Sequence, residues 1–398
     1  MKTINRICSV VLIVCLVVIL APLPSLRAEK SSVSTYAKAA ALIDVESGRI
    51  LYSSHGDEPM LIASLTKIMT AIVAIENGKL SDKVKVGKNA FAKEGSSLFL
   101  KNGEEMTLEN MLYGLMLRSG NDAATAIAEH VGGSEDGFVY LMNTKAEELG
   151  LIHTHFANPH GLDAEGHYSS ANDLARLTAY ALHNPVFKQI VKTEVKTADN
   201  PYEKWDYKWV NKNKMLRLYE GADGVKTGYT KKALRCLVSS ATRGGQQLVA
   251  VTLNDGNDWN DHAALLDFGF NHFPLKTIIE RGDKIKGYEY VTGQDFAYPF
   301  STGEEARLIT KLVLNGGQAV SPKTARSTDF GLRGVLVLQL GGQEIGRVPV
   351  YQPGTVPPEQ TPYAKKFNSA LAAEYPANTW LQALGSALRA LFGRFHHE

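Results

Sequence analysis

The chain has 398 residues, with 43 Lys and Arg against 41 Asp and Glu, for a net charge of +2. This length allows about two domains, each with a core of its own. The balance of charge argues against a nucleic-acid-binding protein, because such proteins concentrate Lys and Arg on one surface and no such concentration stands out here.

Residues 1–28 have the pattern of a secretory signal peptide. Lys2 and Arg6 precede an apolar run over residues 10–21, and Ala28 supplies a small residue at the exit. The alternative is an uncleaved membrane anchor, although the run is short for a helix that crosses a bilayer. We therefore expect the mature protein to be exported.

Export removes two of the three cysteines, because both lie within the signal segment. Cys236 alone remains, so the mature chain is expected to have no internal disulfide. Since Cys236 lies in an apolar strand pattern, we interpret it as a small core residue rather than a nucleophile.

Strand patterns occur at both ends of the region that follows. Residues 39–45 and 49–52 flank a Ser-Gly turn and predict two strands, and helical patterns then continue to about residue 190. The helical patterns include residues 108–117, 123–131 and 171–182. Later strand patterns cover residues 224–230, 236–242 and 248–253. We predict an α+β domain over residues 36–275, in which a helical cluster is inserted between strands of one sheet.

Three polar breaks interrupt these apolar elements, and Ser64 and Lys67 form the first. They are three residues apart at the start of an apolar helical segment, so their side chains are expected on one face. A hydroxyl beside an amine is one way to make a nucleophile. The pair is weak evidence by itself, because a chance Ser-x-x-Lys is expected roughly once or twice in a chain this long.

The second break is Ser119-Gly120-Asn121, between two helical patterns. Its structural interpretation is that Gly120 ends one helix and that Asn121 or Asp122 caps the next.

The third break is Lys226-Thr227-Gly228, within a predicted strand. Its structural interpretation is an exposed strand with a bulge at Gly228.

The last part of the chain changes character. Short strand patterns separated by glycines, such as residues 334–338 and 347–350, predict a small all-β domain over residues 281–355. A Pro-bearing linker over residues 356–377 follows.

Residues 378–398 carry Trp, Leu and Phe at helical spacing on one face, which predicts an amphipathic helix that lies on a membrane surface. The alternative is a helix that docks on the protein or mediates oligomerisation.

The three breaks carry more weight together. Ser-x-x-Lys, Ser-x-Asn and Lys-Thr-Gly occur in that order on a helix, an inter-helix loop and a strand, which is the motif set of penicillin-binding proteins and β-lactamases. Further stretches resemble the D-alanyl-D-alanine carboxypeptidases, the low-molecular-weight penicillin-binding proteins. These stretches are residues 42–44, 48–52, 63–70, 158–162, 166–169 and 173–175.

The resemblance covers nearly the whole mature chain. It implies a β-lactamase/transpeptidase-like domain with an antiparallel sheet and a helical cluster, followed by the small β domain and the terminal membrane-associating helix. One departure is Leu234, which is bulky where a small residue is expected.

The nucleophile hypothesis follows from the residues themselves. Ser64 is a poor nucleophile until a base takes its proton, and Lys67 lies one turn away. An amine acts as a base only when it is neutral, which burial and a nearby cation such as Lys226 would favour.

The resemblance supplies the remaining catalytic roles. The backbone N–H groups of Ser64 and Tyr229 are expected to form the oxyanion hole. Ser119 is expected to pass a proton to the leaving D-alanine nitrogen, and Asn121 to orient Lys67 and the substrate amide.

The substrate's terminal carboxylate is assigned to the strand that bears the third motif. Lys226 and Thr227 are expected to hold it, with Gly228 and Tyr229 beside the substrate and Lys212 as a further basic partner. An extended peptide is expected to pair with this strand.

The expected partners are a peptidoglycan stem peptide ending in D-Ala-D-Ala and β-lactams, which acylate Ser64. No cofactor or metal is expected, because His153, His155, His160 and His167 lack accompanying ligands at metal-binding spacing. We expect these histidines to be structural or to support the site from behind. The expected location is the outer face of the cytoplasmic membrane or the cell wall.

Three alternatives remain open at this point. A DD-endopeptidase that cuts peptide cross-links would use the same residues. A class A β-lactamase would need a carboxylate to activate the deacylating water, and no convincing Glu motif lies between the second and third elements. A wall-binding protein could keep the fold without turnover.

Overall fold

The structure, a computed structural model, describes residues 33–315 and 331–356. The predicted signal peptide (1–28), nearly all of the predicted linker (356–377) and the predicted terminal helix (378–398) lie outside the described residues. Within the described ranges, no helix combines the length and apolar character needed to cross a bilayer.

The elements are numbered here in chain order. The strands are β1 (Ala39–Asp44), β2 (Ile50–Ser54), β3 (Lys83–Lys85), β4 (Glu105–Thr107), β5 (Val195–Ala198), β6 (Tyr207–Val210), β7 (Ala222–Thr230), β8 (Leu234–Arg243), β9 (Gln246–Leu253), β10 (Leu275–Ile279), β11 (Val291–Thr292), β12 (Phe296–Pro299), β13 (Leu308–Leu314), β14 (Leu332–Leu340) and β15 (Gln343–Tyr351). The helices are α1 (Lys67–Asn77), α2 (Lys88–Phe91), α3 (Leu108–Arg118), α4 (Asn121–Gly132), α5 (Glu135–Glu148), α6 (Ala171–Leu182), α7 (Pro185–Lys192), α8 (Met215–Leu218) and α9 (Asp258–His272).

The central sheet joins strands from the two ends of the first predicted domain. Its order is β2-β1-β9-β8-β7, with every neighbouring pair antiparallel. All six residues of β1 are buried, so both faces of the sheet are covered there. Strand β7, which bears the third motif, lies at an edge and has one side open for another chain to pair with.

A helical cluster lies between the two groups of strands in the chain, as the sequence predicted. Helix α1 is its most buried member, since every residue from Lys67 to Ala74 is buried. The sequence predicted that this helix opens near Ser64. The α-helix begins instead at Lys67, and Ser64 lies in the 3₁₀ turn Ala63–Thr66 that precedes it.

Strands continue after residue 275 in two further sheets. Strands β10 and β12 pair with each other, and a four-stranded sheet has the order β11-β15-β14-β13. The predicted strands at residues 334–338 and 347–350 lie within β14 and β15. That residues 281–355 fold as a separate domain stays a prediction.

Arg49, just before β2, ties these later strands to the first domain. Its guanidinium donates to both carboxylate oxygens of Glu304, at 2.8 and 2.9 Å, and to the carbonyl oxygen of Pro299 at 2.7 Å. It also lies over the rings of Phe273 and Tyr298. A bidentate Arg–carboxylate pair fixes direction as well as distance, so it orients the two parts of the chain.

Candidate active site

Ser64 and Lys67 meet because a tight turn precedes α1. The 3₁₀ turn brings the Lys67 Nζ to 3.1 Å from the Ser64 Oγ. Ala63 enters this turn with a φ of 47°, in the left-handed region that residues with a Cβ seldom adopt. Strain of this kind is held by the surrounding structure and is concentrated at functional sites.

The Lys67 amine has two further partners, both of them oxygens that accept. It lies 2.8 Å from the Asn121 Oδ1 and 2.5 Å from the His160 carbonyl oxygen. A neutral amine has two hydrogens and one lone pair. When the amine is neutral, its two hydrogens can be donated to the two carbonyl oxygens, which leaves the lone pair for the third partner, the Ser64 hydroxyl. This is the arrangement that proton removal from Ser64 requires.

The surroundings of Lys67 favour its neutral form. Burial, together with the charges of Lys226 and Lys212, lowers the pKa of Lys67 well below the ordinary value for lysine, and Asp122 opposes this only in part. Desolvation and like charge both penalise the ammonium ion. The expectation that burial and Lys226 would neutralise this amine therefore has a physical basis in the structure.

Ser119 itself ends α3, where the sequence predicted that Gly120 would. Its φ of 68° and ψ of 35° are left-handed, and Gly120 is the extended residue that precedes α4. The left-handed turn lets the chain reverse between the two helices. A glycine is the usual residue in such a turn, so a serine here indicates that the hydroxyl is needed.

The backbone of a neighbouring loop holds Asn121 in place. The Asn121 Nδ2 donates to the Glu94 carbonyl oxygen at 2.7 Å, and its backbone N–H donates to the Ser96 carbonyl oxygen at 2.6 Å. The amide is thereby oriented with its oxygen toward Lys67.

Asp122 anchors the same loop. The sequence offered Asp122 as a helix cap, but its carboxylate instead accepts from the backbone N–H groups of Leu98, Ala123 and Leu100 and from the Ser97 hydroxyl. The cap prediction was wrong because a loop distant in sequence competes for these oxygens.

Lys226 is the second buried lysine of the site. Its Nζ lies 3.1 Å from the Ser119 Oγ and 2.8 Å from the Thr227 carbonyl oxygen. Burial, assisted by the charge of Lys212, lowers the pKa of Lys226 to about 7. Lys226 thus connects the edge strand β7 to the loop that carries Ser119, and the first, second and third motifs form one continuous site.

Gly228 is not a bulge. The pairing of β7 with β8 is regular from Gly224 to Thr230, and the irregularity lies earlier, between Ala222 and Gly224. A Cβ at Gly228 would lie 3.2 Å from both the Ile62 carbonyl oxygen and the Ser64 backbone nitrogen. The glycine therefore permits the strand to pass close to the nucleophile's N–H group.

This close approach bears on the predicted oxyanion hole. Tyr229 follows Gly228 directly, and its side chain points outward with 63% exposure. The N–H groups of Ser64 and Tyr229 thus belong to two segments that touch at Gly228. Their role as an oxyanion hole stays a prediction.

Lys212 lies at the edge of the same cluster. Its backbone N–H donates to the Leu117 carbonyl oxygen at 3.1 Å, which fixes it beside the end of α3. Partial burial, together with the charge of Arg118, lowers the pKa of Lys212. Its contact with a substrate carboxylate stays a prediction, as does that of Thr227.

His167 supports the turn that carries Ser64 from behind. The His167 Nδ1 accepts from the Ala157 N–H at 3.0 Å, so its Nε2 carries the proton and donates to the Thr66 Oγ1 at 2.8 Å. Thr66 in turn donates to the Ala63 carbonyl oxygen at 2.8 Å. Burial lowers the pKa of His167 to about 4, which keeps the ring neutral. This chain of bonds holds the turn that presents Ser64.

The 3₁₀ turn gives a testable consequence at Gly161. Its φ is +84°, and a Cβ there would lie 2.0 Å from the Ala63 carbonyl oxygen. We expect Gly161→Ala to lower the free energy of unfolding by about 2 kcal/mol or more, through backbone strain and this clash. Urea denaturation measures the effect.

Gly103→Ala is the matched control for this change. Gly103 has the same φ of +84°, but a Cβ there would meet nothing within 4 Å. Gly103→Ala therefore measures the cost of the left-handed backbone conformation without the clash. Equal losses of stability in the two variants would show that the Ala63 carbonyl does not constrain Gly161.

Comparison with known proteins agrees with this geometry. The family model described as D-alanyl-D-alanine carboxypeptidase, Peptidase S11, matches residues 26–257. The chain belongs to this family. D-alanyl-D-alanine carboxypeptidase DacF of Bacillus subtilis is 38% identical over 291 residues, which are 71% of this chain and 74% of the relative.

Solved structures extend the likeness of this carboxypeptidase-family protein. Penicillin binding protein 5 of Haemophilus influenzae has a TM-score of 0.64 and 28% identity, covering 80% of this chain and 96% of that one. A D-alanyl-D-alanine carboxypeptidase of Mycobacterium tuberculosis has a TM-score of 0.58 and 34% identity, covering 61% of this chain and 93% of that one.

Leu234, the departure from the family pattern, is the first residue of β8 and follows the turn over residues 231–233. Leu234 has a φ of 59° and an exposed side chain, so a glycine would adopt this backbone with less strain. The neighbouring Cys236 is buried, and burial raises the pKa of its thiol to about 12. It is a core residue, as the sequence indicated.

Within residues 33–315 and 331–356, no group of three or more His, Cys, Asp or Glu side chains is arranged to hold a metal ion.

Proposed function

We propose that this enzyme is a serine-type D-Ala-D-Ala carboxypeptidase that removes the terminal D-alanine from peptidoglycan stem pentapeptides through an acyl-enzyme at Ser64. The observation that carries the proposal is the geometry around Lys67, whose two hydrogens face carbonyl oxygens while its third partner is the Ser64 hydroxyl. Membership in the D-alanyl-D-alanine carboxypeptidase family supports the same reaction.

Acylation begins with the Ser64 Oγ attacking the carbonyl carbon of the penultimate D-alanine. The hydroxyl proton passes to Lys67, and the carbonyl oxygen becomes an oxyanion, stabilised by the N–H groups of Ser64 and Tyr229. Collapse of this intermediate breaks the C–N bond. The proton that Lys67 took from Ser64 passes through the Ser119 hydroxyl to the leaving nitrogen, which returns Lys67 to its neutral form, and the cationic Lys226 contacts Ser119 at 3.1 Å.

The terminal carboxylate of the substrate selects for chain ends. A buried ammonium at Lys226 gains a partner when a carboxylate enters, and we assign Thr227, the next residue of β7, and Lys212, whose charge acts on Lys226, to the same carboxylate. The edge strand β7 offers backbone groups to an extended peptide, with Gly228 and Tyr229 next to the scissile bond.

Deacylation returns the enzyme to its starting state. A water molecule attacks the acyl carbon, its proton passes to a base, and the shortened peptide leaves with a new carboxylate while Ser64 regains its proton. Lys67 is neutral again at this stage and lies within reach of the ester, so we assign it the second proton transfer as well. A β-lactam would form the corresponding ester at Ser64.

We propose that the rest of the chain directs this chemistry to the cell wall. We propose that residues 1–28 direct export and are removed. We propose further that residues 281–355 form a small β domain and that the helix over residues 378–398 binds the membrane surface, with residues 356–377 as the linker. The enzyme would then act on the outer face of the cytoplasmic membrane or within the wall.

The proposal is tested by mass spectrometry of the protein with penicillin, together with D-alanine release from a stem pentapeptide. We expect one adduct, mapped to the peptide containing Ser64, and release of one D-alanine per pentapeptide. The adduct should be lost slowly compared with peptide turnover.

Other outcomes of the same experiment identify the alternatives. Rapid loss of the adduct with release of hydrolysed penicillin would indicate a class A β-lactamase. Faster cleavage of a cross-linked dimer than of the monomeric pentapeptide would indicate a DD-endopeptidase. Absence of both adduct and D-alanine would indicate a wall-binding protein and would overturn the proposal.

A further inference from the structure

Glu135 lies behind Ser64 and Lys67, and its two carboxylate oxygens contact groups from two different parts of the chain. It is the first residue of α5, and its side chain is 22% exposed. The Oε1 lies 3.4 Å from the His160 Nε2, and the Oε2 accepts from the Lys93 Nζ and the Asn89 Nδ2, both at 3.1 Å. Pairing with His160, followed by Lys93, lowers the pKa of Glu135 to about 2, so the group is a carboxylate.

One side leads from Glu135 to Lys67 through His160. The His160 Nδ1 accepts from the Leu162 N–H at 3.3 Å, so the ring proton lies on the Nε2, which faces Glu135. The carbonyl oxygen of the same residue accepts from the Lys67 Nζ at 2.5 Å. Holding the ring of His160 therefore holds one of the two acceptors of Lys67.

The other side leads to Lys67 through the loop that follows α2. Lys93, which donates to Glu135, is directly followed by Glu94, whose carbonyl oxygen accepts from the Asn121 Nδ2 at 2.7 Å. The Asn121 Oδ1 is the second acceptor of Lys67, at 2.8 Å. Both acceptors thus depend on elements that the single carboxylate of Glu135 holds together.

We propose that Glu135 is a positioning residue for acylation: by holding His160 and Lys93, it places the two oxygens that direct the Lys67 lone pair at Ser64. Glu135 has no contact with the reacting atoms and acts only through these neighbours. The inference rests on the proposed function, since it concerns the same proton transfer.

Two physical effects of removing Glu135 differ in their signature. Loss of positioning lowers the rate even when Lys67 is fully neutral, because proton transfer requires close alignment and small displacements cost large factors. Loss of a negative charge near Lys67 instead favours its neutral form, which would move the acid limb of the pH profile to lower pH without lowering the plateau. The plateau of the pH profile therefore distinguishes positioning from charge.

The test compares Glu135→Ala and Glu135→Gln with wild type and with Asp136→Asn. Asp136 lies in the same first turn of α5 and is exposed, so its change removes the same charge from the helix start without touching His160 or Lys93. The acylation rate constant with a fluorescent penicillin is measured from pH 5 to 10, beside kcat and KM for D-alanine release. Thermal unfolding checks that each variant is folded.

We expect Glu135→Ala to lower the acylation plateau about 10-fold, with KM within about twofold of wild type and the acid limb unshifted or moved to lower pH. Glu135→Gln should recover part of the rate, because an amide keeps one oxygen acceptor but presents a donor to the other side. Lys93→Met, which releases only the Asn121 side, should give a smaller loss than Glu135→Ala.

A plateau for Glu135→Ala within twofold of Asp136→Asn would overturn the inference while leaving the proposed function intact. A change in KM alone, or a shift of the acid limb without loss of plateau, would overturn it as well. Failure of the wild-type protein to form an adduct or release D-alanine would instead defeat the proposed function.

Discussion

We expect Ser64→Ala to abolish the covalent penicillin adduct and to lower D-alanine release by about 10³-fold or more, because the variant lacks the group that forms the acyl-enzyme. No other hydroxyl replaces it in the contact with Lys67, whose remaining partners are the carbonyl oxygens of Asn121 and His160. Intact-protein mass spectrometry after incubation with penicillin measures the first effect, and a D-alanine assay measures the second.

Ser81→Ala is the matched control for this experiment. Ser81 is exposed and lies between α1 and β3. The Ser81→Ala variant should therefore form the adduct at Ser64 at the wild-type rate. Ser64 is only partly buried, and removal of its hydroxyl leaves no buried polar group without a partner at Lys67. We therefore expect unfolding temperatures within a few degrees of wild type. An adduct of normal yield in folded Ser64→Ala would show that the nucleophile lies elsewhere.

The motif residues were predictable because their chemistry conflicts with their surroundings. Lys67 and Lys226 are fully buried lysines in apolar elements, and such residues are rare unless a function retains them. The order of the three motifs along the chain, and their predicted placement on a helix, a loop and a strand, are typical of the family. The sheet was also predictable, since β1, β8 and β9 contain short apolar runs bounded by turns.

The groups that aim Lys67 were not predictable from the sequence. The backbone carbonyl oxygen of His160 accepts from Lys67, and that of Glu94 orients Asn121. Every residue in the chain has such an oxygen. Only the fold selects these two. Glu135 was missed for the same reason, because a Glu just after a capping Ser reads as an ordinary helix start.

Local backbone geometry was also beyond the sequence. Ser119 adopts the left-handed conformation that the sequence assigned to Gly120, and Gly228 serves a close approach rather than a bulge. In both cases tertiary contacts decide between conformations that the local sequence permits. The side chains of the site can therefore be identified from the sequence, whereas their alignment depends on the packing of distant segments.

Lys67→Met should lower penicillin acylation and D-alanine release by about 10³-fold while leaving the protein folded. Methionine has a similar length and no charge, and it fits a site where Lys67 is fully buried. Burial opposes the charged form of the lysine, so its removal offsets part of the cost of leaving the carbonyl oxygens of Asn121 and His160 without a donor. The rate falls because Ser64 loses its base. Fluorescent penicillin kinetics and thermal unfolding measure the two effects.

The pH profile of the wild-type enzyme also tests the role of Lys67 as the base. The neutral form of Lys67 is the base, so acylation should rise with pH through the pKa of Lys67, which lies well below that of an ordinary lysine. Burial is the largest cause of that lowering of the pKa, and the charge of Lys226 adds to it. Lys226 must remain a cation to hold the carboxylate, and its pKa of about 7 sets a falling limb of kcat/KM above that pH.

Lys67→Arg distinguishes a role of Lys67 as a base from a role as a fixed cation. A guanidinium stays protonated over this whole range, so this variant should be inactive at every pH, whereas a lysine that acted only as a fixed cation would be replaced with partial activity. A bound carboxylate raises the pKa of Lys226, so the falling limb of kcat should lie at higher pH than that of kcat/KM. If Lys67→Arg acylated at a rate that did not depend on pH, the base would have to be another group, and the two carbonyl oxygens around Lys67 would only be binding a cation.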